Sequence, residues 1–151
     1  MPTDSSAAEY GISSMDYKHY NSIALAFMGD AVYERFIRER ILRGGTVGAD
    51  RMHQTAVRYV KASAQEKALR AMLQDLTEDE LSVVHRARNH KISSKPKNAD
   101  PLTYKMATAF EALLGYLYLD GQAERLAEVM EKAAFSVEGK APERQDKGEK
   151  A

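Results

Sequence analysis

Two carboxylates stand in the most apolar stretches of the sequence. Asp30 follows the segment LAFMG, and Glu111 lies inside the run AFEALLGYLYL. A carboxylate among apolar side chains costs roughly several kcal/mol unless it is paired or bound to a metal. Both groups could hold one hard divalent cation, and magnesium, which takes oxygen ligands and keeps several waters, suits such a site. Alternatively, each could form a structural ion pair with an Arg or Lys of another helix.

Apolar residues recur at helical spacing around both carboxylates and through most of the chain, which predicts an all-α fold. The predicted helices cover residues 21–42, 49–62, 63–73, 77–89, 100–119 and 123–135. No segment shows the two-residue period of a strand between turn signals. Small residues near both acids would allow two helices to approach closely, namely Ala26, Gly29, Ala107 and Gly115.

Capping signals support these helix starts. Asn21 and Asp100 are predicted N-caps, and Pro101 suits the first position of its helix. The pairs Ser63/Glu66 and Thr77/Glu80 have the spacing of capping boxes.

The length of 151 residues suits a single domain with a real core. Residues 1–18 are polar and aperiodic, which predicts a flexible arm. The folded domain is predicted over residues 19–136, and the charged segment 137–151 lacks core-forming residues and is predicted to be disordered.

Several classes of protein are unsupported by the sequence. With no cysteine, the chain can form neither a disulfide framework nor a thiolate metal site. It has no signal-peptide-like start and no apolar run of about 20 residues for a membrane span, so we expect a cytoplasmic protein. It also contains no HExxH, GxSxG, P-loop or GxGxxG motif.

Charge is distributed unevenly although 22 basic and 22 acidic residues balance. Residues 81–99 contain no acid, yet they contain five cations: Arg86, Arg88, Lys91, Lys95 and Lys97. A local excess of this kind indicates a surface for an anionic partner, or else a solvated charged surface.

The two carboxylate-bearing segments resemble the two motifs of the ribonuclease III family. LAFMGDA at residues 25–31 is similar to the family's signature, and TAFEALLGYLYL at residues 108–119 is similar to its second motif. Their order, separation and helical context also match, and the resemblance covers about residues 19–136. The PKNAD segment at residues 96–100 resembles the Mini-ribonuclease III branch of that family. The sequence also stops where a double-stranded-RNA-binding domain would normally begin, which is typical of the same branch.

This resemblance implies a homodimer of all-α nuclease domains that cleaves double-stranded RNA with Mg²⁺ and leaves 5′-phosphate and 3′-hydroxyl ends. The implied substrate is a precursor of large-subunit (23S) ribosomal RNA. Asp30 and Glu111 match family carboxylates, so the resemblance makes them the catalytic and metal-binding residues. The five cations of residues 81–99 become the predicted RNA-binding residues, because A-form RNA is read mainly through shape, phosphates and 2′-hydroxyls. Exposed apolar surface of the first helix is the candidate dimer seam.

Three positions depart from the family pattern. Ala26, Thr108 and Ile23 stand where the family has further carboxylates. Waters, Thr108 or Glu34 could complete a metal shell at this site.

Two other functions are compatible with parts of the pattern. A catalytically silent, dimeric helical module could bind structured RNA, although such a protein has no need for Asp30 and Glu111. A helical metal-dependent phosphohydrolase of nucleotides is the other, but its HD type needs a His-Asp dipeptide that the sequence lacks.

Overall fold

The structure, a computed structural model, describes residues 16–91, 98 and 100–139. Its α-helices are α1 (Ser22–Arg43), α2 (Ala49–Val60), α3 (Ala62–Met72), α4 (Glu78–Arg88), α5 (Pro101–Leu119) and α6 (Ala123–Glu138). Short 3₁₀ turns cover Tyr17–His19 and Leu73–Asp75. The described residues contain no β-strand, so the predicted all-α fold is confirmed.

Helix α5 lies at the centre of the fold. Its sequence is apolar on every side, and its buried residues accordingly surround the helix between Met106 and Leu117. Helices α1, α3 and α4 pack around α5, and α6 packs against α3 and α5. Even so, none of the helices in the described ranges is long and apolar enough to span a membrane.

Helix α1 is only partly covered by the rest of the chain. Leu25, Tyr33 and Ile37 are buried, and the ring of Tyr33 packs edge-on against that of Phe110 in α5. Phe27, by contrast, is 81% exposed on the other side of the helix. The first turns of α1 therefore present an apolar surface that the described residues leave uncovered.

Three predicted helix starts are confirmed by side-chain hydrogen bonds. The Asn21 side chain accepts a hydrogen bond from the N–H three residues further on at 2.8 Å. The Asp100 carboxylate does the same at 3.0 Å. Thr77 and Glu80 form the predicted reciprocal capping box at the start of α4.

The capping box predicted at Ser63 and Glu66 is wrong. Helix α2 ends and α3 begins around the single residue Lys61, whose carbonyl accepts hydrogen bonds from N–H groups of the first turn of α3. Ser63 therefore lies inside the first turn rather than before it. The carboxylate of Glu66 instead accepts a hydrogen bond from the Thr103 hydroxyl at 2.8 Å, which links α3 to α5.

The predicted arm and tail lie largely outside the described residues. Of the arm, residues 16–18 are described, and there Lys18 forms an ion pair with Asp79 of α4 at 3.2 Å. Of the tail, residues 137–139 are described. Helix α6 reaches Glu138, whose carboxylate accepts two hydrogen bonds from the guanidinium of Arg40 in α1.

Candidate active site

Helices α1 and α5 cross with their backbones in contact. A Cβ atom on Gly29 would overlap the backbone carbonyl of Glu111, and a Cβ atom on Gly115 would overlap the backbone carbonyl of Leu25. Any larger residue at either glycine would therefore force the helices apart. The close approach predicted from the small residues is confirmed at these two glycines. As a result, Asp30, which follows Gly29, lies beside Glu111.

Asp30 and Glu111 form a carboxylate pair at this crossing. Glu111 is half-buried and lies within hydrogen-bonding reach of Asp30. Asp30 itself is exposed, although its apolar sequence context suggested burial. The pair is therefore anchored on the central helix and open to solvent through Asp30.

Gln65 of α3 is the third side chain of the site. It is only 3% exposed, and its Nε2 donates a hydrogen bond to Oε2 of Glu111 at 3.3 Å. Sequence analysis missed this residue, because a neutral amide in a helix matches no motif. The available signal was a polar residue among Ala64, Ala68 and Leu69 on the buried face of α3.

The two carboxylates lie close enough for their charges to interact. Burial raises the pKa of Glu111 to about 8, and the negative charge of Asp30 contributes to this rise, while the hydrogen bond from Gln65 opposes it. Among the described residues, no Lys or Arg forms an ion pair with either carboxylate. The structural ion pair that the sequence left open is therefore not found in this part of the chain. Near neutral pH, the Glu111 carboxyl of the metal-free protein is therefore largely protonated.

The donor chemistry of the pair fits a hard divalent cation. Magnesium is commonly held by one or two carboxylates, with waters and substrate phosphate oxygens as its other ligands. The described part of the chain contains no group of three or more His, Cys, Asp or Glu side chains arranged to hold a metal. Asp30 and Glu111 would thus be the carboxylate ligands that the protein contributes, and a bound cation would replace the proton on Glu111.

Thr108 and Glu34 are engaged in hydrogen bonds within their own helices. The Thr108 hydroxyl donates to the backbone carbonyl of Tyr104 at 3.0 Å. The Glu34 carboxylate accepts a hydrogen bond from Arg38 at 3.0 Å. Within the described residues, Glu34 therefore forms no three-carboxylate group with Asp30 and Glu111, whereas the hydroxyl oxygen of Thr108 keeps its lone pairs.

We expect the metal-free protein to become less stable as the pH rises from about 5 to 8.5. Glu111 has its ordinary value of 4.5 when unfolded and about 8 when folded, so between these values the folded state binds more protons. Stability from the protonated group is present below the unfolded pKa and is lost as the pH rises through the folded pKa. Thermal unfolding in EDTA would measure this loss, which should be smaller in Glu111→Gln. Parallel pH curves for the two proteins would contradict the assignment.

Residues 81–99, which we call the basic stretch, are only partly described. Arg88 and Lys91 are exposed at the end of α4 and just after it. Arg86 is half-buried, and its Nη2 donates a hydrogen bond to the backbone carbonyl of Tyr20 at 2.9 Å, so part of this side chain serves the fold. The predicted contacts Lys95 and Lys97 lie outside the described residues.

Comparisons with known proteins agree on one family. The sequence model of the Ribonuclease III domain matches residues 23–122. The chain is 52% identical over 116 residues to a Mini-ribonuclease 3 of Symbiobacterium thermophilum, which covers 77% of this chain and 89% of the relative. It is 48% identical over 119 residues to a Mini-ribonuclease 3 of Brevibacillus brevis, covering 79% of this chain and 89% of the relative.

A solved structure has the same fold. The crystal structure of protein FN1578 from Fusobacterium nucleatum superimposes with a TM-score of 0.70 at 30% sequence identity. The match covers 78% of this chain and 94% of that one.

Proposed function

This chain belongs to the ribonuclease III family, and we propose that it is a magnesium-dependent endoribonuclease that cuts double-stranded RNA. Its substrate is a precursor of large-subunit (23S) ribosomal RNA, which it cleaves in the cytoplasm as a homodimer. The products carry 5′-phosphate and 3′-hydroxyl ends. The family match and the Mini-ribonuclease 3 relatives support this proposal.

The observation that carries the proposal is the carboxylate pair where α1 and α5 cross at Gly29 and Gly115. A helix pair held together only for stability does not need two adjacent acids that have no cationic partner among the described residues. The raised pKa of Glu111 is a stability cost in the metal-free protein, and such costs concentrate at functional sites. This argument disfavours the silent RNA-binding module, in which the pair would have no use.

In the proposed reaction, the side chains of Asp30 and Glu111 hold the cation and orient it towards the phosphate backbone. The exposed side chain of Asp30 is accessible to a phosphate backbone on the surface, whereas half-buried Glu111 is fixed on the central helix. Asp30 and Glu111 would hold the divalent cation, which when bound would supply an activated water and neutralise charge on the phosphate oxygens. No histidine is required as a base, and none of the four in the sequence lies in a metal-binding group within the described residues.

Substrate binding is assigned to the basic stretch, with Arg88 and Lys91 as the described residues whose exposure suits phosphate contacts. Arg88→Gln and Lys91→Gln should each weaken binding equally across duplex sequences. Each should also reduce the slope of log affinity against log salt by about 0.7–0.9, the contribution of one phosphate contact. Fluorescence anisotropy in EDTA at several salt concentrations would measure this. Lys132→Gln on α6 is the matched control, and an unchanged slope in both test variants would reject the assignment.

The homodimer is supported by the uncovered face of α1. Phe27 is 81% exposed and Ile23 is 48% exposed, and a cavity of about 510 Å³ lies nearby between α1 and the start of α6. Met28, Phe36 and Met130 are among the apolar residues that line it. In a twofold dimer the same surface serves both chains, and two sites could then act on the two strands of one duplex.

Phe27→Ala should therefore weaken the dimer by at least about tenfold, because buried aromatic anchors contribute much of the energy of an interface. Sedimentation across a range of concentrations would measure the dissociation constant. Phe135→Ala, which truncates a 54% exposed phenylalanine on α6, is the control. A wild-type monomer, or a dimer unaffected by Phe27→Ala, would exclude this seam.

A cleavage assay tests the proposed function. Duplex RNA, single-stranded RNA and duplex DNA would be offered with Mg²⁺ and with EDTA, and the product ends would be mapped. We expect only the RNA duplex to be cut, only with metal, leaving 5′-phosphates. Binding without cleavage in both Mg²⁺ and Mn²⁺ would replace the nuclease with the silent module, and cleavage of single strands would reject the substrate class.

A further inference from the structure

Gln65 is a buried polar side chain to which the proposed reaction assigns no role. Apart from tyrosines, the buried polar or charged side chains within the described residues are Ser22, Gln65 and Glu80. Ser22 is the first residue of α1, and Glu80 is satisfied by its capping box and by two hydrogen bonds from Arg125. Gln65 neither caps a helix nor forms an ion pair within the described residues, and its side chain donates a hydrogen bond to Glu111.

We propose that Gln65 is a positioning residue that holds the Glu111 carboxylate in the orientation required for binding the divalent cation. The inference rests on the proposed function, since it assigns a role within the same metal site. Burying a primary amide is unfavourable unless its hydrogen bonds are made, so an apolar residue would fill this place between α3 and α5 more favourably. The amide is therefore explained by its contact with Glu111 rather than by packing.

The chemistry of an amide suits this position better than that of a charged group. A lysine would neutralise Glu111 and compete with the cation, and a carboxylate would add a third negative charge beside Asp30 and Glu111. The amide donates to Oε2 of Glu111 without changing the net charge. Groups that hydrogen-bond to metal ligands fix their orientation, and their loss typically lowers metal affinity or activity about 10–100-fold.

The backbone holds Gln65 in place for this contact. Its N–H donates to the carbonyl of Lys61 at 3.1 Å, and the residue lies in the first turn of α3, which packs on α5. Its side chain is 3% exposed, so few alternative conformers are open to it. Glu111 is thus held by two helices, through its own position on α5 and through the amide of α3.

Gln65→Met tests the proposal, because methionine keeps the length of the side chain and removes the donor. The Mg²⁺ concentration for half-maximal cleavage should rise about tenfold or more, and saturating Mg²⁺ should largely restore the rate. Calorimetric titration with Mn²⁺ should show the same weakening without any RNA present. Duplex binding in EDTA and the thermal midpoint should change little. Gln74→Met, the same substitution at an exposed glutamine, is the matched control.

The outcomes separate this inference from the proposed function. A folded Gln65→Met whose Mg²⁺ midpoint and Mn²⁺ affinity stay within about twofold of wild type would overturn it. If Gln65→Met does not fold, Gln65→Asn keeps the amide but is too short to reach Glu111, and it should show the same weakening. A wild-type protein that neither cleaves duplex RNA nor binds Mn²⁺ would reject the proposed function itself, whereas normal wild-type cleavage with an insensitive Gln65 rejects only the positioning role.

Discussion

Replacing Glu111 with Gln is expected to reduce cleavage of duplex RNA by more than about a hundredfold while leaving the protein folded. Residues that only orient metal ligands already contribute about 10–100-fold, so the loss of a ligand should exceed that range. Asp30→Asn should have an effect of the same order. Because the two groups act as a unit, the double variant should be little worse than either single one.

The thermal stability of Glu111→Gln should not fall along with its cleavage activity. In EDTA at pH 8, Glu111→Gln removes the half-buried group whose pKa burial raises to about 8, so its thermal midpoint should equal or exceed that of wild type. Addition of Mg²⁺ should raise the midpoint of wild type but not that of the variant. Cleavage rates and melting curves measured side by side would thus separate lost chemistry from lost folding.

Conservative substitutions elsewhere provide the controls. Asp50→Asn on α2 and Glu124→Gln on α6 make the same chemical changes at exposed positions on helices other than α1 and α5. Both should cleave at the wild-type rate. If Glu111→Gln retained more than a tenth of wild-type activity at saturating Mg²⁺, the carboxylate pair could not be the metal site.

The helices and the two carboxylates could be predicted because their signals are local. Alternation of apolar residues, the cap at Asn21 and the Asp100-Pro101 start all act within one or two turns of the chain. Asp30 and Glu111 stood out because acids are rare in apolar helices. Glycines near both acids were enough to suggest that the two helices approach closely, and the structure confirms this at Gly29 and Gly115.

The remaining features of the site depend on contacts between distant segments. Gln65 reaches Glu111 across 46 positions in sequence, and no local pattern reports that contact. The exposure of Asp30 could not be predicted, because the start of α1 is apolar all round and the sequence does not say which side faces solvent. In the same way, the basic composition around Arg86 gave no sign that its guanidinium binds the carbonyl of Tyr20.

The error at Ser63 has a specific physical cause. The spacing of Ser63 and Glu66 fits a capping box, but α2 and α3 are joined by one residue, so α3 has already begun at Ala62. Glu66 is then free to accept hydrogen bonds from Thr103 of α5. A tertiary contact has therefore replaced the local one that the pattern favoured.

Gly29→Ala and Gly115→Ala should each be strongly destabilising, although helix propensity alone predicts the reverse. Alanine in place of glycine within a helix should stabilise it by about 1 kcal/mol. Here, however, the added Cβ would overlap backbone atoms of the opposite helix, which cannot move aside as a flexible side chain can. Overpacking of this kind costs about 1–3 kcal/mol or more, a large part of the roughly 5–15 kcal/mol that stabilises a domain. Denaturant unfolding followed by circular dichroism would measure the change.

Gly44→Ala separates the effect of helix propensity from the effect of overlap between the added Cβ atom and the opposite helix. Gly44 ends α1 with a φ of −78°, and a Cβ atom there would meet only ordinary contacts at 3.5 and 3.6 Å. That variant should stay within about 1 kcal/mol of wild type, as expected where neither strain nor overlap arises. Any folded Gly29→Ala protein should also cleave poorly, because separation of α1 from α5 separates Asp30 from Glu111. A Gly29→Ala protein as stable and active as wild type would mean that the backbones of α1 and α5 are not in contact in solution.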